Sequence, residues 1–415
     1  MDKTIKNARE YSFHVLSEVL INEKLLNNEI NKVFDLYSIK DEDKSFIKKE
    51  CTGIIENINN IDSIIDKYSK VKANKLKKEI LIVFRLSIYE MLYMDKVPEY
   101  ATINESVNII KKTKCKGLAG YVNATLKNIA KNELNKTQDE ISSKKEDKHC
   151  YFKILNKKDQ EVTNELNGLK IAFNKYDGAL EFKHSSVYYV DKYKFVLDTD
   201  AFKNGNIIIQ DASSAYLVDR LYDYIESLYK NYQYKLSVLD TCSAPGGKII
   251  SLYTLLNNKY RDNYFEARDV SNDKIDKIKE NVKRLNIDNI KMDVHDATVY
   301  TDEDFEKFDV VLCDVPCSGL GVISKKPDIK LKTNGEKINS LKHLQTSIIE
   351  TSKRYVKNGG ILSYSTCTTT KVENEENIAD FLNKNSNFEK MYEKRIENND
   401  ENKSDGFYMC FLRKR

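Results

Sequence analysis

The sequence predicts two folds in one chain, an all-α helical domain followed by an α/β domain built on a doubly wound, mostly parallel sheet. Three observations carry this. Up to about residue 135, apolar residues recur at three- and four-residue spacing with no competing strand alternation. In the second half, short apolar runs alternate with helical stretches. Between the two, the chain turns polar and charged. The expected boundaries are a helical domain over 1–135, a linker over 136–150, a small α+β segment over 151–211 and the doubly wound domain over 212–415.

Taken in order, AREYSFHVLSEVL, SFIKKECTGIIENI, EILIVFRLSIYEMLYM and NESVNIIKKTK read as amphipathic helices of a bundle. KNELNKTQDEISSKKEDKH, Lys131 to His149, reads as the linker. From Tyr151 to Asp211 the runs YFKIL, LKIAF, SVYYV and NIIIQD read as strands, with a helix near Gln160 to Asn167. Then KLSVLD, YFEARD, NIKMDV, FDVVLCD and GGILSYS form successive strands, separated by helices that include SNDKIDKIKENVKRL and INSLKHLQTSIIETSKRYV. A sheet of this kind binds ligands at the carboxyl ends of its strands.

Composition excludes several classes. With 415 residues, 32% charged and 40% hydrophobic, and only 4 prolines and 14 glycines, the chain reads as globular and not as a long disordered segment. No run approaches the roughly 20 apolar residues of a membrane helix. MDKTIKNAREYSFHVL is too charged and too periodic for a signal peptide, so the expected location is the cytoplasm, with no membrane partner. Eight scattered cysteines are then reduced thiols. With no C-x-x-C pair, no zinc or other metal site is expected. A net charge of +4, from 68 basic and 64 acidic residues, permits a nucleic-acid partner without demanding one.

The motifs fall at the strand ends. After KLSVLD comes TCSAPGGKIISL, where Gly246 and Gly247 let the backbone turn tightly and approach a ligand as a helix begins. The next strand ends in Asp269, placed to accept hydrogen bonds from ribose hydroxyls. Asp296 follows the third strand in VHDAT, and Asp314 ends the fourth. A glycine turn with three strand-end acids describes a nucleoside cleft. Two cysteines stand at the same end, Cys317 in DVPCSG and Cys367 in YSTC. Cys51, Cys115, Cys313 and Cys410 read as small apolar filler. His295 is given no role, and Lys325 with Lys326 reads equally as a solvated pair or as phosphate contacts.

DTCSAPGGK, DVPCSGLGVISKKPDIK and YSTC together resemble the RNA 5-methylcytidine methyltransferases of the Fmu/Sun type, over about Asn206 to Arg415. RLSIYEMLYMDKVPEYATINESVNIIKK and GYVNATLKNI resemble the second half of the antitermination factor NusB. Such helices joined to this domain are the arrangement of the RsmB-type family, which modifies a cytidine in 16S ribosomal RNA. The resemblance implies a Rossmann-like fold and S-adenosylmethionine as cofactor, held by Cys242, Ser243, Ala244, Pro245, Gly246, Gly247, Lys248, Asp269, Asp296 and Asp314. It implies 16S RNA of the small subunit, or its precursor, as partner. Carbon 5 of cytosine is a poor nucleophile, so a thiolate must first add to carbon 6. By resemblance Cys367 is that nucleophile, Cys317 assists loss of the carbon 5 proton, and Asp314 bonds the base edge. A tRNA cytosine methyltransferase and a non-enzymatic NusB-like RNA-binding or antitermination factor remain as alternatives. Two departures from the family stand out: Lys153 in FKILN occupies the place of an arginine, and TTTKVENEEN lacks the proline that usually precedes its glutamates. KKTKCK, Lys111 to Lys116, is the expected phosphate-contacting stretch of the helical domain.

Overall fold

The architecture is seen in a computed structural model, which describes residues 7–94, 97–134, 149–156, 158–192, 194–229, 235–257, 259 and 262–415. The described chain forms two compact units, one of 7–134 with 324–332 and one of 149–323 with 333–415. Apart from residues 149 and 150, the linker expected over 136–150 lies outside the described residues.

The first unit contains α1 (Ala8–Leu20), α2 (Leu26–Leu36), α3 (Asp41–Glu56), α4 (Ile58–Tyr68), α5 (Lys78–Tyr93), α6 (Glu99–Lys111) and α7 (Ala119–Glu133). Most are amphipathic, as α4 shows by burying Ile58, Ile61 and Ile65 on one stripe. α5 is different, because Ile80 and then every residue from Ile82 to Met91 is buried. A helix apolar nearly all round belongs at the centre, and α1, α3, α4, α6 and α7 pack around it. Cys51 and Cys115 are buried in this core. Leu26 N, in the first turn of α2, donates to the Asp328 carboxylate at 3.2 Å, a favourable place for an anion.

The second unit begins with β1 (Cys150–Ile154), α8 (Asp159–Gly168), β2 (Asn174–Lys175), β3 (Ser186–Val190), α9 (Lys194–Leu197), α10 (Asp200–Lys203) and β4 (Ile207–Ile209). The strands form a four-stranded sheet in the order β2-β3-β1-β4. The strand expected at LKIAF does not form. Lys170, just beyond α8, adopts a left-handed φ of 56°, and only Asn174 and Lys175 go on to pair with β3. Lys153 is buried in β1, and burial pulls its ammonium down to a pKa of about 8.

The large sheet follows with α11 (Ala212–Tyr229), β5 (Ser237–Asp240), α12 (Gly247–Asn257), β6 (Tyr264–Asp269), α13 (Asn272–Arg284), β7 (Ile290–Val294) and β8 (Phe308–Asp314). After α14 (Ile329–Lys332), which belongs to the first unit, come α15 (Gly335–Ser352), β9 (Val356–Thr366), α16 (Glu375–Lys384), β10 (Phe388–Ile396) and β11 (Phe407–Lys414). The strand order is β10-β11-β9-β8-β5-β6-β7. β9 through β7 are parallel, while β10 and β11 run antiparallel. FDVVLC is buried throughout, as a parallel strand covered on both faces requires. α13 turns Ile275, Ile278 and Val282 inward and its charges outward. The order reverses at β5, with β6 on one side and β8 on the other, which opens a crevice at the carboxyl ends of those strands. Among the described residues no helix is long and apolar enough to cross a membrane.

One buried cluster of the helical unit sets its response to pH. Glu90 accepts from Arg9 Nε at 2.7 Å and from Thr102 Oγ1 at 2.6 Å, and fully buried Glu50 lies close by. Burial, then the neighbouring Glu90 charge, holds the Glu50 carboxyl well above its ordinary range. A carboxyl raised on folding contributes stability below its unfolded pKa and loses it as pH climbs towards the folded one. Helical-domain stability therefore falls from this group, by up to about 1.4 kcal/mol per pH unit, as pH rises above about 4.3. Glu50→Gln removes that loss. Its unfolding midpoint, followed in the full-length chain, should exceed the wild-type value by more at pH 8 than at pH 5; a gap that does not widen contradicts the assignment.

Candidate active site

β5 ends at Asp240, and the loop Thr241–Gly246 carries the chain into α12. Gly246 has a φ of 97°, a left-handed conformation that favours glycine, and its N–H closes the turn on Ser243 O at 2.6 Å. The loop is tied to the neighbouring strand, with Ser243 N donating to Arg268 O and Ala244 N to Asp269 Oδ2, each at 2.9 Å. A cleft of about 240 Å³ opens over it. Cys242, Ser243, Ala244, Pro245, Gly247, Lys248, Asp314 and Cys367 all line this cleft.

Lys248 is the electrostatic centre. Its Nζ lies 2.5 Å from Asp314 Oδ2, and Asp314 Oδ1 accepts from Ser365 Oγ at 2.7 Å. Burial works to lower the Lys248 pKa, but the Asp314 carboxylate, then Asp240 and Cys367, raise it above the ordinary lysine value. The lysine therefore stays an ammonium beside a thiol, an arrangement that favours thiolate. Asp240 is buried, and its carboxyl is pushed up to about 7, by burial first, while Lys248 opposes the shift. One of its oxygens, Oδ2, has no hydrogen-bond partner. Burial, with Cys313 and the acids around it, keeps Cys242 a thiol.

The two remaining thiols meet. Cys317 Sγ and Cys367 Sγ are 3.1 Å apart, and both side chains are half-buried. Parallel pairing of β8 with β9 places Asp314 opposite Ser365, so the loops that leave the two strands run side by side. Cys317 is pushed well above the usual thiol range, first by its hydrogen bond to Cys367 and then by burial. Such a bond is strongest when one sulfur keeps the proton and the other is thiolate. The shift disfavours the Cys317 thiolate.

Two expected acids stand apart from the cleft lining. Asp269 is buried behind the loop, where its carboxylate accepts from Ala244 N, Val270 N and Lys274 Nζ, which leaves one of its four acceptor positions. Asp296 is exposed and accepts from Thr298 N and Thr298 Oγ1. His295 bonds Val299 O, and Cys313 and Cys410 are buried. The cleft is completed by Ile209, Gln210, Asp211, Asp405 and Phe407, which sequence reasoning did not single out. Asp240 could have been found, since it ends an apolar strand as Asp269 and Asp314 do. Among the described residues no group of His, Cys, Asp and Glu could hold a metal ion.

Residues 229–413 match the family described as 16S rRNA methyltransferase RsmB/F, and residues 6–131 match the NusB family. Together these matches show an RsmB/F methyltransferase region joined to a NusB region. It is 29% identical to the probable ribosomal RNA small subunit methyltransferase B of Bacillus subtilis (strain 168), over 94% of this chain and 90% of that protein. It is 23% identical to ribosomal RNA small subunit methyltransferase B of Yersinia enterocolitica, over 92% of each. Among solved structures, PH0851 shares the fold at a TM-score of 0.74 and 22% identity over 100% of both chains. NSun6 from Pyrococcus horikoshii, solved with SFG, does so at 0.53 and 18%, over 74% of this chain and 97% of its own.

One glycine packs against the backbone of Cys367. Gly321 N donates to Cys367 O at 3.1 Å and Gly321 O accepts from Gly406 N at 2.8 Å. A Cβ on Gly321 would lie 2.0 Å from Gly406 O and 2.9 Å from Cys367 O. Gly321→Ala should therefore cost about 1–3 kcal/mol in strain and shift Cys367 away from Cys317. Urea unfolding together with the alkylation rate of Cys367 tests this, and wild-type values for both would show that the backbone tolerates the methyl group.

Proposed function

We propose that this protein methylates carbon 5 of a cytidine in 16S ribosomal RNA through a covalent bond between Cys367 and the base. The observation that carries the reading is the 3.1 Å approach of Cys317 and Cys367 beside the Lys248–Asp314 pair. A cleft with a glycine turn, an ammonium and four carboxyl groups fits S-adenosylmethionine, whose sulfonium and ammonium are cationic and whose carboxylate suits backbone N–H groups. Cys242 to Lys248 would hold it, with Asp240 and Asp314 facing its positive charge and Asp269 offering its remaining acceptor position to ribose. When bound, it supplies an electrophilic methyl group. The match of a structure solved with SFG, an analogue of that cofactor, supports the assignment.

The residues divide the remaining work. Lys248 favours the Cys367 thiolate, which adds to carbon 6 and leaves carbon 5 electron-rich enough to accept a methyl group. Asp314 binds the base edge, where charge develops during addition. Cys317, beside the reacting sulfur, first gives up its own proton to solvent and then, as thiolate, takes the carbon 5 proton. The electrons of that C–H bond then restore the ring double bond, and the sulfur–carbon bond breaks to return Cys367 as thiolate.

RNA as substrate is supported by the names of the full-length relatives and by the NusB-family match. It is supported too by charge on the helical unit. Cys115 Sγ donates to Glu79 Oε2 at 3.8 Å, which brings the exposed Lys77 and Lys78 beside the segment that carries exposed Lys114 and Lys116. Phosphate contacts of this type give salt-dependent affinity. Transfer of labelled methyl groups to unmodified 16S RNA and to a tRNA panel, with bisulfite mapping of the product, tests the reading. Label confined to tRNA would assign a different substrate to the same chemistry, and no transfer to any RNA would favour a binding protein.

Two further outcomes are expected. Cys367→Ala should abolish methyl transfer and any covalent RNA adduct, whereas Cys317→Ala should methylate once and remain attached, giving a retarded protein–RNA band on a denaturing gel; the reverse pattern would exchange the two roles. Donor affinity should also depend on Asp240. Because its carboxyl titrates near 7, the site gains negative charge as pH rises through neutrality. Affinity for the cationic donor should therefore tighten from pH 6 to pH 8, by up to about tenfold per pH unit below the titration point. Calorimetry should find Asp240→Asn flat over this range, and a wild-type profile already flat would remove Asp240 from donor binding.

A further inference from the structure

Two consecutive residues just before α16 reach both thiol loops. Glu373 is fully buried, and its carboxylate accepts from Ser318 N at 2.8 Å, Ser318 Oγ at 2.6 Å, Thr370 Oγ1 at 2.7 Å and Gln345 Nε2 at 3.0 Å. Gln345 Nε2 donates as well to Pro316 O at 2.9 Å. The peptide groups on either side of Cys317 are thus both fixed, one by the carboxylate and one by the amide bonded to it. Asn374, also fully buried, holds the residues on either side of Cys367: its Nδ2 donates to Thr368 O at 2.9 Å and its Oδ1 accepts from Thr366 Oγ1 at 2.6 Å. A bond of 2.8 Å between the hydroxyls of Ser318 and Thr368 joins the two halves. Tyr364 OH, donating to Glu373 O at 2.7 Å, ties the clamp to β9. Neither Glu373 nor Asn374 lines the cleft.

The two arms differ in charge. Behind Cys317 stands a carboxylate, and behind Cys367 a neutral amide. In a dry setting a nearby negative charge opposes loss of a thiol proton, and an amide does not. We propose that Glu373 and Asn374 are positioning residues for methyl transfer, which together set the spacing of the two thiols and, through the charge of Glu373 alone, assign the shared proton to Cys317. The inference rests on the two-thiol reaction described above. Glu373 adds to the groups that push the Cys317 thiol up, after the hydrogen bond from Cys367, burial, the Cys367 charge and the Asp314 carboxylate. The same clamp explains why the chain needs no proline ahead of VENEEN: buried hydrogen bonds, not a rigid ring, hold this turn.

The test reads thiol titration directly in the full-length protein, without RNA or donor. Alkylation of each cysteine by iodoacetamide is followed against pH by mass spectrometry. In the wild type, Cys367 should react at lower pH than Cys317. Glu373→Gln, which keeps the shape and removes the charge, should lower the Cys317 midpoint by about one pH unit, a tenfold rise in thiolate fraction at a given pH. Asn374→Asp, which puts a charge behind the other thiol, should raise the Cys367 midpoint by a similar amount, and lower kcat at neutral pH with KM for RNA unchanged. Unshifted midpoints in variants that melt like the wild type overturn the proposal. If only one variant folds, that one decides. If neither does, Cys317 reacting at or below the pH of Cys367 in the wild-type chain is enough to overturn it. Because no substrate is present, shifted midpoints in a protein that transfers no methyl group would count against the reaction and not against the clamp.

Discussion

The parallel register between β8 and β9 is the constraint on which the site depends. Asp314 closes one strand opposite Ser365, near the end of the other, and a hydrogen bond between their side chains fixes that match. A slip of one residue would turn every side chain to the opposite face. Asp314 would then leave Lys248, and the two loops would no longer offer their sulfurs to each other. The burial of FDVVLC and of ILSYST on both faces makes such a slip costly. Apolar packing deep in the sheet thereby sets chemistry at its mouth.

Electrostatics then sort the groups that the register brings together. Lys248, Asp240, Asp314, Cys367 and the facing Cys317 lie close together, largely out of water, where charges act on one another far more strongly than in solution. Lys248 reaches Asp314 directly and is influenced by Asp240 and Cys367. The site holds opposite tendencies side by side: the Cys317 thiol is pushed up, Lys248 is held charged, and Asp240 is pushed up to about 7. Groups whose environments push their pKa values apart are what a reaction needs when it must both create a nucleophile and remove a proton.

The short contiguous motifs were legible because backbone geometry carries them. The glycine turn, Asp314 and the two cysteines each follow an apolar run, and the parallel sheet that those runs predict is present, whereas Asp269 and Asp296 stand outside the cleft. Side chains that meet only through folding were not legible. Glu373, Gln345 and Ser318 come from three separate segments, and nothing in VENEEN states that its first glutamate lies under DVPCSG. Phe407 and Asp405 were missed because β11 was. FYMCFLRK is an apolar run as consistent with a buried helix as with a strand, and FEKMYEKRI mixes charge and apolarity in a way that fits either period. LKIAF failed for a local reason, since a left-handed Lys170 turns the chain where pattern alone read extension.

β11 is inserted between β9 and β10, although it follows both in the chain. It supplies Phe407 to the cleft, 5.4 Å from the Lys248 ammonium, and Asp405 precedes it there. During synthesis, then, β9 waits with an open edge while more than forty further residues, from 367 to 407, are added. The glycine loop and both thiols leave the ribosome before the strand that completes the wall around them. Most of the helical unit, made of local contacts, can fold long before that. A chain still being translated would hold a largely formed helical unit and a cleft that closes only when β11 joins the sheet.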